Sequence, residues 1–283
     1  MKLSLLCSYA NLSCPDKISG KEVCGITSDS GKVKDGYVFV CIKGIHTDGH
    51  RYSAEALEKG ALAVVAQDGS VSGENVIYSE NSRKTLSLML DAFCGFPSKK
   101  MRFIGVTGTN GKTSVSTMIR HIFTYCGIPC GLTGTVGNFS PDGRIQSTPG
   151  NPLANMTTPD PEVLYPMLSD IASGGAEAMI MEVSSHSLAL DKLAPINFDI
   201  GIFTNLTQDH LDFHKTMENY FEAKSKLFGI CRVGIINCDD FYGKKIADKS
   251  DCIIKRCSLT DEKSDFSAQN VKLLGEQIGR AHV

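Results

Sequence analysis

Two short apolar runs in the first hundred residues are separated by a segment in which apolar and polar positions repeat with helical spacing. Gly36–Ile42 and Ala61–Ala66 are rich in β-branched residues and predict buried strands, and His50–Lys59 predicts a helix that ends before a glycine. A strand, a helix and a strand in this order favour a small α/β domain with a parallel sheet. We therefore predict a first domain at residues 1–98, ending in the Gly/Pro-containing linker Gly95–Lys100.

The same alternation continues on a larger scale in residues 99–283, which we predict to form a second α/β domain. The predicted strands are Arg102–Thr107, Ala178–Val183, Phe198–Thr204, Val233–Asn237 and Ser267–Leu274, and the predicted helices are Lys112–Cys126 and about Met217–Phe228. This order predicts a doubly wound sheet, in which ligands bind at the carboxyl ends of the strands.

Composition and charge disfavour several classes of partner. The 283 residues carry a formal net charge of −2, which provides no field for binding nucleic acid or an anionic membrane. No run approaches the roughly 18 apolar residues of a membrane helix. The 11 cysteines are irregularly spaced and include no CxxC pair, which disfavours a zinc site or a disulfide framework. We therefore expect a reduced, cytoplasmic, monomeric protein without membrane insertion.

A glycine-rich segment, Gly105–Ser114, joins the first strand of the second domain to its first helix. In this arrangement backbone N–H groups and the helix N-terminus surround phosphate oxygens. Lys112 is expected to reach the β- and γ-phosphates of a nucleotide, and the Thr113 hydroxyl to bind Mg²⁺. The usual spacing requires glycine where Val106 stands, so a turn without nucleotide is the alternative, but the flanking strand and helix favour binding. The predicted nucleotide-binding residues are Gly108, Thr109, Asn110, Gly111, Lys112, Thr113 and Ser114.

Two polar residues stand at the ends of other predicted strands. Glu182 follows the apolar residues 178–181, where a carboxylate can bind the Mg²⁺ of a nucleotide. His210 follows the strand at Phe198–Thr204. Taken singly, these residues are more simply explained as a solvated acid and a structural histidine. Their function therefore depends on the motifs that accompany them.

The phosphate loop in its form Thr-Gly-Thr-Asn-Gly-Lys-Thr, residues 107–113, is similar to that of the Mur ligases and the related folylpolyglutamate synthetases. Glu182–His186, Asn205–Asp212 and Tyr220–Phe228 resemble further motifs of this family, in the family order. The resemblance implies an ATP-dependent ligase that converts a carboxylate into an acyl phosphate, which an amine then attacks. It also implies that Lys224 carries a carbamate that binds metal, whereas a bare lysine would repel a second Mg²⁺.

Among the Mur ligases, the chain resembles the MurE type, the UDP-N-acetylmuramoyl-tripeptide synthetases, over nearly all of residues 20–240. Thr27–Ser30 and Gly44–His50 resemble its uridine-binding segments. Asn155–Asp160 resembles the loop whose two threonines hold the muramoyl peptide, and Glu182–Lys192 resembles a further segment of this type.

The resemblance assigns site residues by their positions in these motifs. The implied catalytic residues are Lys112, His210 and Lys224. The implied metal ligands are Thr113, Glu182, His210 and carbamoylated Lys224. The implied substrate-binding residues are Ser30, His46, Thr47, Thr157, Thr158, Ser184 and Lys192.

Two positions depart from the family pattern. Gly31 stands where the family has arginine, and Lys192 stands where an arginine pairs with an anionic group of the substrate. Lysine keeps the positive charge but loses the bidentate geometry of the guanidinium group. Neither change affects the predicted ATP site.

The implied fold is a small N-terminal α/β UDP-binding domain followed by a doubly wound, incomplete P-loop central domain. A C-terminal Rossmann-like domain is missing, so we expect a C-terminally truncated chain. The implied substrates are ATP, UDP-MurNAc-L-Ala-D-Glu and a free third amino acid, either diaminopimelate or L-lysine, with Mg²⁺ as cofactor. A folylpolyglutamate synthetase-like ligase is one alternative, but it predicts no uridine-binding domain before the loop. A fragment that binds nucleotide without catalysis is the other.

Overall fold

The computed structural model describes residues 1–44, 47–67, 69–145 and 156–268. The first sheet has four parallel strands in the order β1-β2-β3-β4, at Gly25–Thr27, Tyr37–Val40, Ala63–Ala66 and Val76–Tyr78. The helices around it are α1 (Leu3–Tyr9), α2 (Ser53–Glu58) and α3 (Ser82–Phe93).

The first sheet is buried on both faces, which explains its unbroken apolar runs. Val38 and Val65 pack in the core cluster that includes residues of α1 and α3. Phe39 and Val64 point to the opposite face, where they pack with Ala56 of α2. Parallel strands covered on both faces appear in sequence as continuous hydrophobic segments. Both strands predicted here are confirmed, whereas β1 and β4 have three residues each, too short for a recognisable pattern.

The helix predicted at His50–Lys59 divides into a 3₁₀ turn at Gly49–Tyr52 and the shorter α2. Asp48 starts the turn, because its carboxylate accepts hydrogen bonds from the backbone N–H of His50 at 3.1 Å and from His50 Nδ1 at 2.6 Å. Gly60 ends the helix in the left-handed conformation, as predicted.

Among the described residues, the second sheet has nine strands in the order β13-β12-β11-β10-β5-β9-β6-β7-β8. Its strands are β5 (Arg102–Thr107), β6 (Cys130–Gly134), β7 (Gly137–Ser140), β8 (Gly143–Arg144), β9 (Ala178–Glu182), β10 (Phe198–Phe203), β11 (Cys231–Asn237), β12 (Ile253–Ser258) and β13 (Phe266–Ser267). Its helices are α4 (Lys112–Tyr125), α5 (Pro161–Ser173), α6 (Ser185–Ala189), α7 (Leu211–His214), α8 (Met217–Ser225) and α9 (Phe241–Lys249). No helix in the described ranges is long and apolar enough to cross a lipid bilayer.

Four of the strands predicted in this region correspond to β5, β9, β10 and β11, and the helix predicted at Lys112–Cys126 corresponds to α4. The helix predicted at Met217–Phe228 is α8 followed by a 3₁₀ turn at Lys226–Gly229, a common way for an α-helix to end. β13 includes the first residue of the strand predicted at Ser267–Leu274, most of which lies outside the described residues.

β5 lies at the centre of the second sheet, between the parallel strands β10 and β9. The chain leaves β5 through α4 towards β6 on one side, whereas β10 lies on the other side. In register, Thr107 pairs with Phe203, and Val106 pairs with Glu182. The carboxyl ends of three strands therefore meet where the strand order reverses, which is the ligand-binding position of a doubly wound sheet. The predicted fold class is confirmed.

Hydrogen bonds to the buried carboxylate of Asp91 anchor the segment between the two sheets. Asp91 accepts hydrogen bonds from the Tyr9 hydroxyl at 3.0 Å, the Ser98 backbone N–H at 3.0 Å and the Ser98 hydroxyl at 2.7 Å. Burial and the Asp91 charge raise the pKa of Tyr9 to about 12. The predicted linker Gly95–Lys100 is thus an anchored connection, and the domain boundary after residue 98 stays a prediction.

Candidate nucleotide and substrate site

The loop between β5 and α4 has a backbone that favours glycine at two positions. Gly108 has φ +145° and Gly111 has φ +84°. A Cβ at residue 108 would also overlap the Thr204 hydroxyl. Gly111 precedes α4, and no side chain within the described ranges caps that helix end. The first N–H groups of α4 are therefore available to an anion, which is the arrangement that a phosphate loop requires.

The segment after β10 forms hydrogen bonds to the backbone of this loop. Asn205 Oδ1 accepts a hydrogen bond from the Asn110 backbone N–H at 3.0 Å, and Asn205 Nδ2 donates to the Asn110 carbonyl at 3.1 Å. Thr204 Oγ1 donates to the same carbonyl at 2.6 Å. Neither Thr204 nor Asn205 was predicted as a site residue, because nothing local shows that Asn205 folds against a loop 95 residues earlier.

Two lysines converge on one carbonyl of the loop. Lys112 Nζ donates to Gly108 O at 3.0 Å and to Thr109 O at 2.9 Å, and Lys224 Nζ donates to Gly108 O at 2.8 Å. Lys224 is only 1% exposed. Burial, followed by repulsion from Lys112, lowers the pKa of Lys224 to about 7. Burial also lowers the pKa of Lys112. Lys224 therefore has a substantial neutral-amine fraction near pH 7.

Glu182, the last residue of β9, is completely buried and held by two threonines. Its Oε2 accepts from Thr113 Oγ1 at 3.0 Å and from Thr135 Oγ1 at 3.1 Å, and its Oε1 accepts from Thr135 N at 2.9 Å. Gly134 allows this approach, because a Cβ there would overlap the carboxylate. Thr135 was not predicted from the sequence, since it belongs to none of the motifs and only the pairing of β6 with β9 brings it to Glu182.

The predicted metal ligands are only partly brought together. Thr113 and Glu182 are in contact and offer hard oxygen atoms of the kind that Mg²⁺ prefers. His210 is exposed, with its Nε2 3.4 Å from Asp209 Oδ2 and its ring centroid 5.1 Å from that of His186. In the described part of the chain, no three His, Cys, Asp or Glu side chains form a group that could hold a metal ion. The chemistry of the Thr113–Glu182 pair fits Mg²⁺.

His214 lies beside His186 in a partly buried cluster of rings. Their ring centroids are 5.4 Å apart, and His214 Nε2 lies 2.8 Å from Ser185 Oγ. Burial, followed by the charge of His186, lowers the pKa of His214 to about 4. Burial also lowers the pKa of His186. Both rings are therefore neutral near pH 7.

Thr157 and Thr158, two of the predicted substrate-binding residues, have different surroundings. The buried Thr158 hydroxyl donates to the Glu182 carbonyl at 2.8 Å and accepts from the Ser184 backbone N–H at 3.1 Å. The Ser184 hydroxyl in turn caps α6. Both hydroxyls thus make internal contacts, and that of Thr158 joins the segment Met156–Asp160 to the end of β9. Thr157 is half-buried, and its Oγ1 lies 3.3 Å from Thr135 Oγ1, next to the nucleotide site.

A cleft of about 300 Å³ lies between the two sheets, and its walls carry three basic and three acidic side chains: Lys32, Arg83, Lys192, Asp29, Asp160 and Glu162. Lys32 and Arg83 line one wall. Lys192 lines the other wall, where its Nζ lies 2.5 Å from Asp160 Oδ1. Lys192 was a predicted substrate-binding residue. Lys32 and Arg83 were not predicted, because charged residues in a surface turn or at the start of a helix are usually only solvated.

The remaining predicted substrate-binding residues, Ser30, His46 and Thr47, lie in the part of the chain that forms the first sheet. Ser28 lines the cleft, whereas Ser30 lies in a 3₁₀ turn where its carbonyl accepts a hydrogen bond from Lys59 Nζ at 2.9 Å. Thr47 is exposed, and His46 lies outside the described residues. Ser28 is therefore the serine of this segment that the structure places in the wall of the cleft.

Glu162, in the first turn of α5, links the two sheets at this cleft. Its Oε1 accepts hydrogen bonds from the Ser28 backbone N–H at 2.8 Å and the Ser28 hydroxyl at 2.7 Å, and its Oε2 accepts from Thr27 Oγ1 at 2.9 Å. Hydrogen bonds to a carboxylate are among the stronger ones in proteins. Glu162 was not predicted as a site residue, because an acidic residue in the first turn of a helix is explained by the helix dipole alone.

Two family models match the chain. The model described as the Mur ligase middle domain matches residues 106–278, and the model described as the Mur ligase family, catalytic domain, matches residues 22–91. The chain therefore belongs to the Mur ligase family. This confirms the family resemblance seen in its motifs.

Relatives with a more specific description are also similar to this chain. It is 42% identical over 263 residues to the UDP-N-acetylmuramoyl-L-alanyl-D-glutamate--2,6-diaminopimelate ligase of Clostridium botulinum, covering 91% of this chain and 53% of that protein. The ligase of the same description from Clostridium perfringens is 40% identical over 264 residues, covering 90% and 53%. A solved structure of a ligase so described has a TM-score of 0.77 at 29% identity, covering 94% of this chain and 54% of the other. The chain thus spans about half the length of the curated relatives it matches.

Proposed function

We propose that this chain binds ATP and UDP-MurNAc-L-Ala-D-Glu as part of a ligase that adds the third amino acid of the peptidoglycan precursor. The observation that carries the proposal is the meeting of the phosphate loop, Glu182 and Lys224 at the carboxyl ends of β5, β9 and β10. The segment Thr157–Asp160 leads from this point to the cleft between the two sheets. The descriptions of the relatives supply the substrate class.

The loop Gly108–Gly111 and the start of α4 are proposed to hold the phosphates of ATP. Lys112, which lies across the loop carbonyls, would bind the β- and γ-phosphates and stabilise charge on the transferring phosphoryl group. A carboxylate oxygen of D-Glu attacks the γ-phosphorus, an acyl phosphate forms and ADP leaves. The amine of the third amino acid then attacks the acyl carbon, phosphate leaves, and the nitrogen loses a proton.

Mg²⁺ is proposed to bind at Thr113 and Glu182, with His210 and a carbamate on Lys224 as further ligands. When bound, the ion would neutralise charge on the phosphates. The ammonium group of Lys224 first loses a proton; the neutral amine then forms a bond to the carbon of CO₂ and releases a second proton, so that a cation becomes an anionic carbamate. The lowered pKa of Lys224, about 7, supports this step because only the neutral amine is a nucleophile. The same change would replace the repulsion from Lys112 by attraction.

The cleft between the two sheets is proposed to hold the UDP-MurNAc-dipeptide. Lys32, Arg83 and Lys192 provide cations suited to its diphosphate and carboxylate groups. The third amino acid is proposed to be 2,6-diaminopimelate, because the similar ligases are described by it, with L-lysine as the alternative. These descriptions, and the Mur ligase match before the phosphate loop, do not favour a folylpolyglutamate synthetase. We further propose a cytoplasmic monomer.

Titration calorimetry of the 283-residue chain with UDP-MurNAc-L-Ala-D-Glu, and separately with Mg²⁺ and a non-hydrolysable ATP analogue, tests the proposal. Both ligands are expected to bind. Binding of a folate in place of the UDP ligand would overturn the substrate assignment. Phosphate release with ATP, UDP-MurNAc-L-Ala-D-Glu and either diaminopimelate or L-lysine then distinguishes a catalytic chain from a nucleotide-binding fragment and identifies the third amino acid.

A further inference from the structure

Thr135 contacts both the candidate nucleotide site and the segment Met156–Asp160, which contains the predicted substrate-binding residues Thr157 and Thr158. It follows β6 directly, and its backbone N–H and hydroxyl donate to Glu182 at 2.9 and 3.1 Å. Its Oγ1 also lies 3.3 Å from the Oγ1 of Thr157. Thr135 is an exposed residue, so it contributes little to the hydrophobic core. Its contacts therefore serve the two sites and not the packing of the sheet.

The hydrogen bonds of the Thr135 hydroxyl can have only one direction when Glu182 is ionised. A carboxylate only accepts, so the single hydroxyl proton of Thr135 goes to Glu182. The Thr157 hydroxyl then donates to Thr135 Oγ1. Donation to a charged acceptor polarises the Thr135 hydroxyl and makes its oxygen a better acceptor. The result is a chain from Thr157 through Thr135 to Glu182, where Thr113 donates from the nucleotide side.

The backbone next to Thr135 permits its close contact with Glu182. Gly134 allows β6 to approach Glu182 so closely that a Cβ would overlap the carboxylate. Thr133 lies on the same strand and has the same chemistry, but its hydroxyl donates to Asn138 Oδ1 within the β6–β7 hairpin. Within the described ranges, its side chain makes no hydrogen bond to Glu182 or Thr157, and Thr133 therefore provides a matched control.

We infer that Thr135 is a positioning residue that couples the two sites of this ligase. It holds the Glu182 carboxylate in place for the metal and the nucleotide, and it holds the Thr157 hydroxyl in place for the UDP-MurNAc-dipeptide. The inference rests on the proposed function and adds to it a residue outside the motifs. Substitution of a residue that serves one site alone would alter the affinity for one ligand, whereas substitution of Thr135 is expected to alter the affinities for both the nucleotide and the UDP-MurNAc-dipeptide.

Titration calorimetry of Thr135→Val, Thr135→Ser and Thr133→Val tests the inference. For a non-hydrolysable ATP analogue with Mg²⁺, Thr135→Val is expected to bind about tenfold more weakly, because a hydrogen bond to a carboxylate is lost. For UDP-MurNAc-L-Ala-D-Glu in EDTA, we expect binding about threefold weaker, because the longer contact with Thr157 is lost. Thr135→Ser is expected to restore both affinities, and Thr133→Val to leave both unchanged.

Three results would overturn the inference. The first is an unchanged affinity of Thr135→Val for either ligand, and the second is a failure of Thr135→Ser to restore both. The third is an equal loss in Thr133→Val, which would assign the effect to a weakened hairpin. If the unsubstituted chain binds neither ligand, the proposed function itself fails. If it binds both and Thr135→Val does so equally well, only the coupling fails.

Discussion

Lys224 is expected to react with CO₂ at neutral pH because its surroundings make it a weak base. Burial, followed by repulsion from Lys112, lowers its pKa from 10.5 to about 7. At pH 7 about half of the Lys224 side chains are then neutral, compared with about 0.03% for an ordinary lysine, a ratio on the order of 10³. Since only the neutral amine attacks CO₂, the carbamate is expected to concentrate on this one residue.

Carbon-13 NMR of the protein equilibrated with labelled bicarbonate measures the carbamate as a function of pH. A carbamate signal is expected to increase as the pH rises through 7 and to disappear at lower pH. Lys224→Arg is expected to remove the signal. Lys226→Arg is the matched control, because the Lys226 side chain lies two residues away and is 52% exposed, so its substitution is expected to leave the signal unchanged.

Lys112→Met separates the two causes of the lowered pKa. Removing the Lys112 charge is expected to raise the pKa of Lys224, but to leave it below 10.5, because burial is the larger cause. The carbamate signal would then require a higher pH. A signal that persists in Lys224→Arg, or surface lysines labelled to the same extent at pH 7, would refute the reasoning.

Three further predictions concern contacts near this site. Lys112→Ala is expected to abolish ATP-dependent acyl phosphate formation, measured as phosphate release, and unchanged release would contradict the assignment of the loop. Glu162→Ala removes the acceptor of three hydrogen bonds and is expected to lower the free energy of unfolding by about 3 kcal/mol in urea titrations. Glu162→Gln keeps an acceptor and is expected to lower the free energy of unfolding by less. Equal decreases in the two variants would contradict the role of the acceptor. The pKa of His214 in the folded chain, about 4, lies below the ordinary value of 6.5. As the pH falls, the unfolded chain therefore gains a proton on this ring before the folded chain does. The free energy of unfolding is expected to decrease between pH 6.5 and 4 by up to about 3 kcal/mol. His214→Gln is expected to show a smaller decrease, and an identical pH dependence would count against the buried neutral ring.

The elements that form the site were largely predictable from the sequence, because they depend on residues close together in the chain. Largely apolar runs predicted the central strands β5, β9 and β10, since a parallel sheet is covered on both faces. Gly111 and Lys112 marked the turn from β5 into α4, because a left-handed residue before a helix favours glycine. The family resemblance rests on these same short segments.

The partners of the site residues were decided only by the tertiary structure. Thr135 reaches Glu182 across 47 positions of sequence, and Lys224 reaches Gly108 across 116. The same packing directs the Thr158 hydroxyl into the protein, where a motif alone assigns it to substrate. It also determines the basicity of Lys224, because burial and a neighbouring charge act through space and leave no local pattern. The sequence thus determined which chemistry is present and at which strand ends, and the fold decided which groups touch and in which state of protonation.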